Sequence, residues 1–371
     1  MSSQLPPLPA DVPHGPSPYL RDTYVFEWRN LSLRTDIVFM IAIALCLSLG
    51  LAVGHPGAGM IAAGGAMTVG MGAKQSIDDS RLKPMIFVSL SMAFSTFVGM
   101  VAGHEGRLLV LFAALWGLGH GMLSNRSPGY VWVSQQSVVT LLVASAFPFS
   151  PGSAAIRASL ILAGGAVQIL FTSLLLRLNR QLQEDLLSLA RYAHTEEFLL
   201  RAAIVDTARA LRPGKRFDPT LAYALRLAVT LGVGTAIYVR VHFASGYWIP
   251  MTAFLVLRPG LTDTASRAIA RTAGTLAGAI LVSFFVAHLT PAPALLAALT
   301  VLFAWLSFGS LNVNYALFSV FLTGYIVFLL SVASIPGTLT AERRAVSTMI
   351  GGAIALAVRL IVLHHRRKAA R

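Results

Sequence analysis

The sequence predicts an all-α, polytopic membrane protein of about twelve transmembrane helices, built as two tandem parallel six-helix repeats. Three observations lead there. Of the 371 residues, 56% are hydrophobic and only 12% are charged, against about 25% charged in a soluble globular domain, and the mean hydropathy is +0.70. The apolar residues fall into twelve runs, broken by Pro-, Gly- and Asn-containing stretches such as "GHPGAG", "SNRSPG", "FPFSPG", "LTPAP" and "GSLNVN". The last six runs also echo the first six in register.

Residues 1–34 open with "MSSQLPPLPADVPHGPSPYL", which is Pro-rich and has no apolar core. This does not read as a cleaved signal peptide, and a largely disordered cytoplasmic leader is expected. The first membrane repeat, 35–177, holds Asp36–Val53, Gly57–Gly72, Met85–Gly103, Leu108–Met122, Tyr130–Phe147 and Ala154–Leu176, with Asp36 expected to cap the first span. The linker 178–220 contains "RQLQEDLLSLARYAHTEEFLLRAAIVDTARAL", whose leucines recur at helical spacing among mixed charges. It reads as an amphipathic cytoplasmic helix or helical hairpin, lying on the membrane face or serving as a docking surface. The second repeat, 221–364, holds Leu221–Val239, Ala244–Leu257, Arg271–Ala287, Ala294–Ser307, Tyr315–Ala333 and Val346–Leu363, before a basic tail at 365–371.

The net charge of +14 is explained by topology. With both termini inside, all but five of the 29 basic residues fall on the cytoplasmic side; Arg107, Arg157, Arg240, Arg343 and Arg344 are left outside. Nucleic acid is therefore not needed as a partner; the bilayer is. Cys46 is the single cysteine and sits in an apolar run, which excludes an intrachain disulfide.

Three matches carry the repeat. "RASLILAGGA" from Arg157 aligns with "RAVSTMIGGA" from Arg344, "LFAALW" from Leu111 with "LFAWL" from Leu302, and "SPGYVWVS" from Ser127 with "NVNYALFS" from Asn312. Six spans per half is an even number, so the halves share one orientation. Gly57–Gly72 and Ala244–Leu257 are then counterparts, and both are short. Paired short segments in matching positions of two repeats point to a transporter's binding site, and a helix can end at depth only where protein or a watery cavity satisfies its carbonyls. The two are expected to meet near the centre across a wet crevice.

Candidate binding or pathway residues follow. Arg258, Arg267 and Arg271 crowd one loop with Asp263 among them, and Arg271, Thr275 and Gly278 share a helix face. A guanidinium there can hold a carboxylate bidentately; alternatively, the small residues serve packing and the arginines anchor topology. Trp248 and Tyr247 can stack on a ring or belong to an aromatic belt. His120, in "WGLGHGM", is the one mid-span residue able to titrate near neutrality, or a neutral hydrogen-bonded packer. Gln135 and Gln136 line a pathway or bond neighbouring helices. No acidic residue falls at mid-depth. There is no HxxxH or HExxH spacing for a metal and no P-loop, so neither an enzyme, a metal nor a cofactor is expected.

The stretch "GYWIPMTAFLVLRPGLTDTASRAIARTAGTLAGAI", Gly246 to Ile280, resembles the second-repeat signature of the fusaric acid resistance family, which is related to the aromatic acid exporters. The resemblance is carried by Tyr247 and Trp248 with Pro250, by "VLRP" from Val256 to Pro259, by the basic positions Arg267 and Arg271, and by "GTLAG" from Gly274. The first half matches more weakly: its short segment lacks the Trp, the Pro and the Arg-Pro. The resemblance implies an inner-membrane carrier that exports aromatic or related organic acids. A passive anion channel of the same fold and a non-transporting scaffold subunit are the alternatives, and a homo-oligomer is compatible with each. Larger members place a cytosolic region where this chain has only the linker.

Overall fold

The computed structural model describes residues 17–147, 150–192, 219–241, 245–289 and 292–369. Most of the expected leader, the linker beyond Tyr192 and the last two residues of the tail lie outside the described residues. The described chain is helical: α1 Met40–Ala52, α2 Pro56–Gly72, α3 Leu82–Ala102, α4 Gly106–Leu123, α5 Pro128–Ser145, α6 Pro151–Leu175, α7 Asn179–Tyr192, α8 Pro219–Val241, α9 Trp248–Val256, α10 Leu261–Leu289, α11 Pro293–Ser310, α12 Tyr315–Val332 and α13 Gly337–Ala369. Several starts are written locally. Proline opens α2, α5, α6 and α11, where its missing N–H costs nothing. The Asn314 side chain accepts from the Leu317 N–H and caps α12.

Among the described residues, nine helices are long and apolar enough to cross a membrane, the first running Trp28–Ala52. The chain is a multi-pass membrane protein. The other three expected spans differ from the nine. Helix α2 has 17 residues, and α5 carries Ser134, Gln135, Gln136 and Ser137 in its middle. Helix α9 has only 9 residues, about 13.5 Å at 1.5 Å per residue, under half of a hydrocarbon core of about 30 Å.

The halves interlock. In the first, α2 packs on α1 and α6, and α3 on α5 and α6; in the second, α9 packs on α8 and α13, and α10 on α12 and α13. Across the divide α4 lies on α8, and α11 on α1. Both apolar cores draw on both halves. One joins Ile43, Leu47 and Met67 to Phe303, Phe308 and Phe328. The other joins Ala113 and Leu141 to Leu227, Trp248 and Phe254. Phe94, Leu170, Val229, Ile280 and Phe284 face outward, as lipid contact requires.

Glycines set the tightest contacts. A Cβ on Gly164 of α6 would sit 1.9 Å from the Ala62 carbonyl oxygen, and one on Gly351 of α13 would sit 2.5 Å from that of Ile249. The interval from Gly164 to Gly351, 187 positions, equals that from Ala62 to Ile249. The two glycines of the "GGA" echo thus seat the sixth helix of each half on the second.

Residues 17–34, expected as part of a disordered leader, are bound to the second half. The Asn314 side-chain amide donates to the Asp22 and Val25 carbonyls at 3.2 and 2.8 Å, the Glu27 N–H to the Val313 carbonyl at 2.9 Å, and the Trp305 indole to the Leu33 carbonyl at 2.8 Å. Such long-range hydrogen bonds leave no signature in local composition. Asp36 does not cap the first span: its carboxylate accepts from Lys74 and Ser32, both at 2.8 Å.

Candidate functional site

The site is built around the end of α9. The helix stops because Arg258 precedes Pro259, and proline disfavours helical backbone in the residue before it; Leu257 is already extended. The Leu257 carbonyl, which helix continuation would have satisfied, accepts from the Tyr223 hydroxyl at 3.1 Å. The turn that follows is held by Thr264, whose hydroxyl accepts from the Arg258 N–H at 3.0 Å and lies 2.6 Å from the Gly260 carbonyl. Protein groups therefore complete part of the break, the Leu257 carbonyl and the Arg258 N–H each having a side-chain partner. The two short helices do not form the expected central pair. Helix α9 packs against α5 of the first half, and α2 against α12 of the second.

Beyond the turn, α10 lifts Arg267 and Arg271 along one face. The Arg267 guanidinium lies over the Tyr315 ring, 3.4 Å from its centroid. Arg271 is buried and reaches the Tyr315 hydroxyl at 3.4 Å, while its Nε has no partner. Tyr315 is thus clasped by two arginines, with Arg258 also in electrostatic range. The counter-charge comes from an unforeseen place: Asp22 of the N-terminal segment sits 3.8 Å from Arg267. A cleft of about 190 Å³ lined by Arg21, Asp22, Arg267 and Tyr315 opens on this face, beside one of about 170 Å³ that includes Arg258, Pro259 and Asp263.

The other predicted residues divide between this cluster and simple packing. Pro250 is buried, and Gly234 of α8 lies against it. Gly278 lets α10 approach Val320 and Thr323 of α12. Thr275 is fully buried and its hydroxyl has no partner. His120 is a packed residue: its Nδ1 is 2.9 Å from the Ser134 hydroxyl and its ring meets Phe254 edge-on at 4.8 Å. Gln135 is half-buried on α5, beside the serine that holds His120.

Arg344, assigned by charge counting to an outer loop, lies inside α13 with 1% of its surface exposed. Its guanidinium sits 4.0 Å from the centroid of the Trp248 ring, and its Nε donates to the Thr323 hydroxyl at 3.2 Å. Thr323 is 8 residues after Tyr315 and 9 before Val332 on α12, so Arg344 meets that helix about 12 Å from one end and 13.5 Å from the other. An arginine at such depth costs about 2.5–3.5 kcal/mol to insert. The available signal was the shared i, i+4, i+7 pattern of Arg344, Thr348 and Gly351 with Arg271, Thr275 and Gly278. It was masked by the neighbouring Arg343, which α-helical geometry turns about 100° away.

Comparison with known proteins covers the same part of the chain. Residues 227–358 match the family described as fusaric acid resistance protein-like. An uncharacterized protein of Synechocystis sp. is 31% identical over 140 residues, 38% of this chain and 18% of its own length. The inner membrane protein YccS of Escherichia coli is 34% identical over 153 residues, 40% of this chain and 21% of its own. A Neisseria gonorrhoeae protein is 28% identical over 153 residues, 41% of this chain and 36% of its own. The chain thus spans between about a fifth and a third of the length of the curated relatives it matches. No solved structure matches it. The matched residues 227–358, which include α9, Arg258, Arg267, Arg271 and Arg344, are thus similar to the fusaric acid resistance protein-like family, within a chain that is a multi-pass membrane protein.

Proposed function

We propose that the chain is a secondary transporter that moves organic carboxylates, aromatic acids among them, outward across the inner membrane. The observation that carries this reading is the clasp of Tyr315 by Arg267 and Arg271 behind a cleft where Arg21 and Arg267 stand beside Asp22 and Glu27. Arginine forks match carboxylates bidentately, and Arg271 Nε is buried without a partner. In this reading α2, α5 and α9 join the nine long helices to make twelve, in two parallel repeats with both termini cytoplasmic. The equal glycine-to-carbonyl intervals and the reciprocal pairing of α4 with α8 and α11 with α1 support that arrangement.

The test is efflux of radiolabelled benzoate from proteoliposomes containing the full chain. Arg271→Gln is expected to lower the rate about tenfold, the loss of one charge-assisted hydrogen bond; an unchanged rate removes Arg271 from the pathway.

A passive anion channel is the second reading, favoured by one observation. Asp36 and Asp185 are the buried carboxylates among the described residues; Asp36 precedes α1 and is held by Lys74, and Asp185 lies on the linker helix α7 and is held by Ser80. A proton-coupled carrier loses its driving force when the pH gradient is collapsed; a channel follows voltage alone.

A further inference from the structure

The guanidinium of Arg344 is committed on two sides and has no hydrogen-bond partner on the third. One face covers Trp248 at 4.0 Å, and Nε is used by Thr323. Nη1 and Nη2, which form the remaining edge, have no hydrogen-bond partner although the residue is 1% exposed. No acidic residue among the described ones pairs with it. Two buried hydroxyls on the same helix pair also have no partner: Ser347, one turn along α13 from Arg344, and Thr252, one turn along α9 from Trp248. Arg344 meets Trp248 and Gly351 meets Thr252, so both contacts join α13 to α9.

We propose that the Nη1–Nη2 edge of Arg344 is an occluded mid-membrane site for a planar anion with two in-plane oxygens, of which a carboxylate is the transported example. The physical reason is directional. Two parallel N–H groups fit two oxygens of a flat anion, whereas a spherical halide takes only one favourable position and gains little from the fork. Trp248 fixes the plane of the guanidinium through its π-face, and Thr323 fixes its rotation. A lysine at 344 would keep the charge but not the fork. The inference rests on the transport reading for its place in a cycle, but the binding stands by itself.

The experiment is a titration of intrinsic tryptophan fluorescence of the full-length protein in nanodiscs, with benzoate, nitrate and chloride as probes. In the wild type, benzoate and nitrate should half-saturate the signal at roughly tenfold lower concentration than chloride, the difference of about one charge-assisted hydrogen bond. Arg344→Lys should abolish that preference while keeping a chloride response, and Trp248→Phe should remove the signal. Wild-type protein that shows no saturable response, or responds to chloride as well as to benzoate, overturns the site; so does Arg344→Lys that retains the preference. The wild-type arm does not depend on any variant folding. Binding without benzoate efflux would leave the site and remove the transport reading; efflux without selective binding would do the reverse.

Discussion

Lys74 Nζ lies 2.8 Å from Asp36 Oδ2, with the two side chains 12% and 3% exposed, and it also donates to the Phe308 carbonyl at 2.6 Å. Lys74 follows α2 by two residues, as Arg258 follows α9. The cation after the short helix is neutralised internally in the first half, while in the second it faces a cleft. Asp36→Asn should therefore act on stability. Removing one partner of a buried pair costs about 3–5 kcal/mol, whereas replacing both by apolar residues is close to neutral. Thermal unfolding in detergent should show a large drop for Asp36→Asn and recovery in Lys74→Met with Asp36→Leu.

Gly351→Ala should separate α13 from α9. The added methyl would stand 2.5 Å from a backbone oxygen that cannot swing aside. Overpacking of this kind costs about 1–3 kcal/mol, and Gly164→Ala, at 1.9 Å from the Ala62 oxygen, should cost at least as much. Melting curves of both variants check the direction; unchanged curves would mean that the helix pairs are not in this contact.

Thr264 is fully buried and ties the Arg258 turn through its hydroxyl. Thr264→Val leaves the Arg258 N–H without its partner, worth about 1–3 kcal/mol. Benzoate efflux should fall and Thr264→Ser should restore it, because only the hydroxyl is needed.

The Asp22–Arg267 pair is partly exposed, with side chains 28% and 29% accessible, and such pairs contribute about 0–1 kcal/mol. Asp22→Asn should leave the melting temperature within error. It should raise benzoate efflux roughly twofold, since removing a competing carboxylate worth about 0.5 kcal/mol shifts an equilibrium by that much. A lower efflux rate would make Asp22 part of the path rather than its competitor.

Much of the site was legible because it is written in runs. "VLRPGLTD" announces a helix that ends at Arg-Pro, and α9 does end there. Spacing also placed Arg271, Thr275 and Gly278 on one face, and the structure assigns Gly278 to packing. Depth was not legible for Arg344. A charge count treats adjacent arginines as one loop signal, but burial is decided residue by residue around the helix.

The sequence by itself determined that this chain is a helical, multi-pass membrane protein and where α9 breaks; the arginines it grouped in one loop are divided between the turn, with Arg258, and helix α10, with Arg267 and Arg271. Hydropathy, proline and glycine act locally, so they can be read locally. Only the tertiary structure decided that Lys74 is spent on Asp36, that residues 17–34 fold back on the second half, and that Arg344 lies over Trp248 at mid-depth. Those are contacts between segments far apart in the chain, set by helix packing across both halves, and no short stretch of sequence records its partner.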